Sequence, residues 1–102
     1  MANGIAETTW VYVVIQDPGR EEKILGQYDD AADITFIPFF KDRDTGQQAV
    51  LHLAKTPGRP LEIQAIIFED LVRYATREGH LLFLLDASGR IETKMTPQGK
   101  AL

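Results

Sequence analysis

The stretch LEIQAIIFEDLVRYATREGHLLFLLDASGRIETKM, Leu61–Met95, carries the organisation of this 102-residue chain. Ile63 to Phe68 is a short apolar run, and Glu69 to Glu78 has helical periodicity with Leu71, Val72, Tyr74 and Ala75 on one stripe. Asp70, Arg73, Arg77 and Glu78 fall on the opposite side of that helix. Gly79 supplies a stop in the left-handed region. Leu81 to Leu85 is apolar without a break, and Asp86-Ala87-Ser88-Gly89 punctuates before Ile91. Strand, helix, strand, turn, strand is the economical reading. A strand that is apolar at every position needs cover on both faces of its sheet.

Working toward the N-terminus, Trp10 to Gln16 is dense in β-branched and aromatic residues and reads as a strand. Asp17-Pro18-Gly19 is a turn. Lys23 to Tyr28 reads as a second strand returning on the first, with a helix from Glu21 as the competing assignment. Ile34 to Phe40 is the next strand, and Pro38 inside it places it at an edge or a bulge. Asp44 or Thr45 caps a helix running to about Ala54, unless Ala49–Ala54 is a strand. Thr56-Pro57-Gly58-Arg59-Pro60 breaks any helix there. The expectation is one α+β domain: a mixed or antiparallel sheet of about five to six strands, with two helices packed mainly on one face. Residues 1–8 and 95–102 read as loose ends.

Composition narrows the function classes. With 11 basic against 15 acidic residues the net charge is −4, which argues against nucleic acid or an anionic membrane surface as partner. The absence of cysteine excludes disulfides and thiolate chemistry. No basic leader with an apolar core opens the chain, and no apolar run reaches the roughly 18 residues of a membrane span, so the expected location is the cytoplasm.

No pattern for a catalytic centre, a metal site or a cofactor emerges. Asp42-Arg43-Asp44-Thr45 imitates the first motif of phosphatases with an Asp nucleophile, but Pro38 and Lys41 disturb it and the chain lacks room for such a domain. As a calcium loop the same stretch fails at Gly46 and Leu53. Asp29, Asp30 and Asp33 read as solvated turn residues rather than a divalent-ion site. His52 and His80 lack metal-ligand spacing. Ser88, His80 and Asp86 are too close in sequence for a triad. Arg59, Arg73, Arg77 and Arg90 read as scattered solubilising charge, with an anion pocket as the sharper alternative.

What stands out is apolar surface. Trp10, Tyr12 and Val14 point opposite to Val11, Val13 and Ile15, and Ile34, Phe36 and Phe40 oppose Ile37 and Phe39. Two helices on one face leave the other face bare, a patch larger than monomers usually expose, unless the helices split across both faces, the sheet curls or the tails fold over it. The expected function is therefore a non-enzymatic protein-interaction or regulatory module, self-associating as a homodimer or receiving another protein. Its anchors are Trp10, Tyr12, Phe36 and Phe40. The alternative is a small-molecule binder using a groove on that same face.

Ile37-Pro38-Phe39-Phe40, a polar stretch and then Gln47-Gln48-Ala49-Val50 resemble the SseB-like N-terminal domain. That family shows a Pro-x-Phe-Thr-Ser strand end followed by an acidic helix. Here Lys41-Asp42 replace Thr-Ser, Asp44-Thr45 stand where a Glu-rich start is usual, and Leu85-Asp86-Ala87-Ser88 replaces the later Asn-Pro. The outline spans Ile34 to Arg90. The resemblance implies an α+β module linked with secretion or regulation, and it brings no catalytic residues.

Overall fold

The computed structural model describes residues 5–102. Seven strands and two α-helices follow one another as β1 (Trp10–Gln16), β2 (Lys23–Ile24), β3 (Gln27–Asp29), β4 (Ile34–Phe40), α1 (Arg43–Ala49), β5 (Leu61–Ile67), α2 (Phe68–Glu78), β6 (Leu81–Leu85) and β7 (Ile91–Met95). A 3-10 turn, Val50–His52, extends α1. The class is α+β with one open mixed sheet.

β1 is the hub. Along one side it pairs β5 over its whole length, from Trp10–Ile67 to Gln16–Leu61. Along the other it meets β4 at Tyr12–Phe40 and Val13–Phe39, then β2 at Ile15–Ile24 and Gln16–Lys23. Pro38 explains the change of partner. In the register of Tyr12–Phe40, Val14 faces Pro38, which has no N–H to offer. The Val14 carbonyl takes the Leu25 N–H instead, at 2.8 Å. β2 and β3 thus fill a fork between β1 and β4, and Pro38 lies in a central strand at the fork, not at an edge. Lys23 to Tyr28 is strand rather than helix, interrupted at Leu25-Gly26. β4 runs parallel to β6 from Phe36–Leu81 to Phe39–Leu84, and β7 lies antiparallel on β6.

The two helices take opposite faces of this sheet, which corrects the expectation that they share one. Val11, Val13, Ile15, Ile37, Phe39, Leu82 and Met95 pack with Phe68, Leu71 and Ala75 of α2. Val14, Phe40, Ile63, Phe83 and Leu85 pack with Ala49 of α1 and with Leu53 beyond it. The alternation of β side chains makes both sets inevitable; what the sequence does not announce is that a helix as short and polar as Arg-Asp-Thr-Gly-Gln-Gln-Ala can cover a face. Gly46 permits it. A Cβ there would lie 3.0 Å from the Phe40 ring and 3.3 Å from Ile63 Cγ2, so the backbone of α1 rests on the sheet. Asp42, not Asp44 or Thr45, is the N-cap, accepting from the Thr45 N–H at 2.8 Å.

α2 has no side-chain N-cap. Its first N–H groups go to backbone carbonyls of the N-terminal stretch: Phe68 donates to Thr9 and Glu69 to Glu7, at 2.8 and 2.9 Å. At its other end Gly79 adopts φ 73°. Both loose ends expected from the sequence are corrected where they are described. Ile5 packs against the α2-side core, while residues 1–4 lie outside the described residues. At the other end Met95 is buried, Ala101 bridges back to it, and Leu102 donates to Lys94. Gly99, at φ 81°, tucks that return against Phe68 and Val72.

Candidate functional site

The four aromatic residues expected to anchor an interface do not form one surface. Phe40 is fully buried and belongs to the core beneath α1. Phe36 is half-buried and stacks on Phe83, with ring centroids 4.3 Å apart. Its partners Gln27 and Leu81 place it at the end of the sheet away from Trp10. Tyr12 is half-buried, with the Arg43 guanidinium 5.4 Å above its ring. Trp10 alone is largely exposed, at 57%. Register sets Trp10 beside Ile67 and Tyr12 beside Ala65 on the face that carries α1. These four residues make an apolar corner beyond the N-terminus of α1.

That corner adjoins β5, a margin of the sheet. Phe68 donates to Thr9 and Asp17 to the Pro60 carbonyl, so the even-numbered residues of β5 bond to β1. Leu61, Ile63 and Ala65 therefore turn their backbone N–H and C=O groups away from the sheet, and Ile67 its N–H. Among the described residues two carbonyls of this row are answered: the Arg43 Nη1 donates to the Ile63 carbonyl at 2.5 Å, and the Ile67 carbonyl, at the N-cap of α2, accepts the first bond of that helix. Between α1 and β5 runs a groove of about 330 Å³, lined by Arg43, Gln47, Val50, Leu61, Glu62 and Ile63. Sequence reasoning missed Arg43, Ala65 and Ile67, because only the pairing of β5 on a single side makes them neighbours of an open margin.

The remaining candidates resolve into structure. Asp42 caps α1, and hydrogen bonding from Thr45 holds its carboxyl below the usual carboxylate range. Asp86 accepts from the N–H groups of Arg90 and Ser88 and from the Ser88 hydroxyl, and these bonds, Arg90 first, lower its pKa in the same way. That hydroxyl is thus held by the carboxylate directly. His80 lies beyond the far end of the five-residue β6, roughly 20 Å along the strand from Asp86, so these residues form no triad. Asp29 caps its own turn through the Ala31 and Ala32 N–H groups, and Asp33 accepts from the Tyr28 hydroxyl, which pushes the Tyr28 pKa up. Among the described residues no three acidic or imidazole side chains gather in a way that would hold a metal ion.

The arginines are scattered: Arg73 pairs with Asp70, Arg77 with Glu78, and Arg59 with Asp17. The Arg59–Asp17 pair, with Arg20 and Glu21, lines a cleft of about 480 Å³ between loops. Its charges are of both signs, so it is not an anion pocket. No helix among the described residues is long and apolar enough to cross a membrane. No protein family, curated protein or solved structure matches the chain.

Proposed function

We propose that this chain is a non-enzymatic, cytoplasmic protein-contact module whose contact surface is the β5 margin together with the Trp10, Tyr12, Ala65 and Ile67 corner. The version that relied on a bare sheet face is set aside, since each face has its own helix. The observation that carries the present version is a difference between the two margins. Beyond β7 the chain's own terminus returns, with Thr96 donating to Lys100 and Leu102 to Lys94 in backbone hydrogen bonds. Beyond β5 no described strand pairs, and Leu61, Ile63, Ala65 and Ile67 turn N–H groups outward beside an exposed indole, with the Ile63 carbonyl held by a side chain alone. Native sheets shield such margins or use them. The resemblance to the SseB-like N-terminal domain points to the same kind of role, regulatory rather than catalytic.

A photo-crosslinking residue at Ala65, introduced in the source cell, tests this reading. Discrete adducts at position 65 and none at the exposed α2 position Arg73 are the expected result. Adducts at neither position, or equally at both, refute it. The groove of about 330 Å³ also falls within the size range of small-ligand sites. Specific thermal stabilisation by one metabolite in a screen would favour that second reading.

A further inference from the structure

We infer that the β5 margin receives an extended peptide strand carrying a carboxylate, and that Arg43 is the residue that selects it; this rests on the protein-contact reading above. Outward N–H and C=O groups at Leu61, Ile63 and Ala65, with the outward N–H of Ile67, match one kind of occupant, another extended backbone, and α1 makes the far wall of the groove such a strand would enter. Alternate side chains of the strand would meet Val50, Leu61 and Ile63 on one side of the groove.

Arg43 decides which strand. Its Nη1 holds the Ile63 carbonyl, so any added strand must compete with it for that oxygen. The guanidinium is fixed over the Tyr12 ring and has further N–H donors to place. A displaced guanidinium without an acceptor would oppose binding; a carboxylate on the incoming strand supplies a bidentate acceptor at the same spot. A second copy of β5 does not. On the face that carries α1 that strand presents Leu61, Ile63, Ala65 and Ile67, all apolar, while Glu62 lies on the other face, engaged by the Gln64 side-chain amide at 2.7 Å. Arg43 therefore guards the margin against the chain itself and admits an acidic partner strand.

The test uses the full chain and three synthetic seven-residue peptides of alternating valine and threonine. The first is capped at both ends with a central glutamate. The second is identical with glutamine. The third is the glutamine peptide with a free C-terminal carboxylate. Backbone amide NMR is expected to shift Leu61, Ile63, Ala65, Ile67 and the Arg43 Nε–H with the glutamate peptide, at least tenfold more tightly than with capped glutamine. Recovery of affinity by the third peptide identifies a chain end as the source of the carboxylate; its failure identifies a side chain. R43Q, checked for folding by circular dichroism, removes the difference between glutamate and glutamine. Ala65→Pro takes away an outward N–H without touching a bond to β1 and abolishes binding of all three.

Equal affinity for the glutamate and capped glutamine peptides overturns the selection by Arg43. No binding of any peptide at millimolar concentration overturns the strand occupant, and site-specific crosslinking at Ala65 would then leave the protein-contact reading standing. A doubled solution mass, with the same amides moving on concentration alone, overturns it in favour of a second copy.

Discussion

The C-terminal return is part of the domain, and two glycine substitutions measure how much. Gly79 and Gly99 both sit in the left-handed region, at φ 73° and 81°. Alanine at either position loses glycine's freedom there, at about 1 kcal/mol. The surroundings differ. A Cβ on Gly79 meets nothing within 4 Å, whereas one on Gly99 lies 3.0 Å from Phe68 Cε2, Phe68 Cζ and Val72 Cγ2. Phe68 is 3% exposed and its ring is braced by Phe39 at 5.8 Å, so it has little room to yield. Overpacking of this kind adds roughly 1–3 kcal/mol. Gly79→Ala should therefore cost about 1 kcal/mol and Gly99→Ala about 2–4 kcal/mol. In a domain of this size those losses translate to roughly 4–8 °C of Tm for the first and 10 °C or more for the second. Urea unfolding followed by far-ultraviolet circular dichroism reads both, with an unchanged slope confirming that the denatured state is the same. Equal losses in the two variants would refute the docking of 96–102 against α2, because the backbone contribution alone would then account for both.

Core and corner aromatics should separate in the same assay. Phe40→Ala should cost about 3–5 kcal/mol, as expected for a ring with no exposed surface. Trp10→Ala, with more than half the indole already in water, loses at most ~100 Å² of burial, or ~2 kcal/mol as an upper bound; a loss as large as that for Phe40 would make Trp10 core. Asp42 and Asp86 have pKa values lowered by hydrogen bonds, so their contribution is present above the ordinary carboxylate range and is lost as pH falls through their folded values. The urea midpoint should hold from about pH 7 to 5 and drop below about pH 4, and D42N with D86N should flatten that drop; an unchanged slope in the double variant would contradict it. Amide hydrogen exchange should be slow at Glu62, Gln64 and Ile66, which bond to β1, and faster at Ala65 and Ile67; uniform protection along β5 would show that the margin is covered.

Much of this fold was readable because it rests on local rules. The α2 stripe of Leu71, Val72, Tyr74 and Ala75 faces the core, Gly79 ends the helix, and Leu81 to Leu85 is an interior strand covered on both faces. Other features depend on residues far apart in sequence. The role of Pro38 required knowing that Leu25 would stand in for its missing N–H, and the start of α2 required the carbonyls of Glu7 and Thr9. The polar stretch after Met95 reads as loose until Gly99 is seen against Phe68. Helix sidedness was the largest miss. Each helix has one apolar face, and nothing in its own residues says which side of a sheet it will take. Gly46 signals only that α1 approaches the sheet closely, since a glycine inside a helix costs about 1 kcal/mol against alanine; it does not say on which face.

The location of the site follows from what coverage leaves over. A sheet with a helix on each face has spent its apolar surface, and the longest strands with one unpaired side are β5 and β7. The strands themselves mark those margins. Leu81 to Leu85 in the interior has no polar residue, whereas β5 carries Glu62 and Gln64 and β7 carries Glu92, Thr93 and Lys94, and each of these two strands pairs on one side only. Polar content therefore ranks a strand's depth among these three, since an outer strand has a neighbour on one side only and more water on the other. Of the two outer strands, β7 carries Lys94 and is followed by a return of its own chain, while β5 carries no lysine or proline and leads straight into α2. A margin left without those shields, with a single arginine drawn across its middle carbonyl, is the place where a partner strand meets the least resistance and a specific one meets a charge.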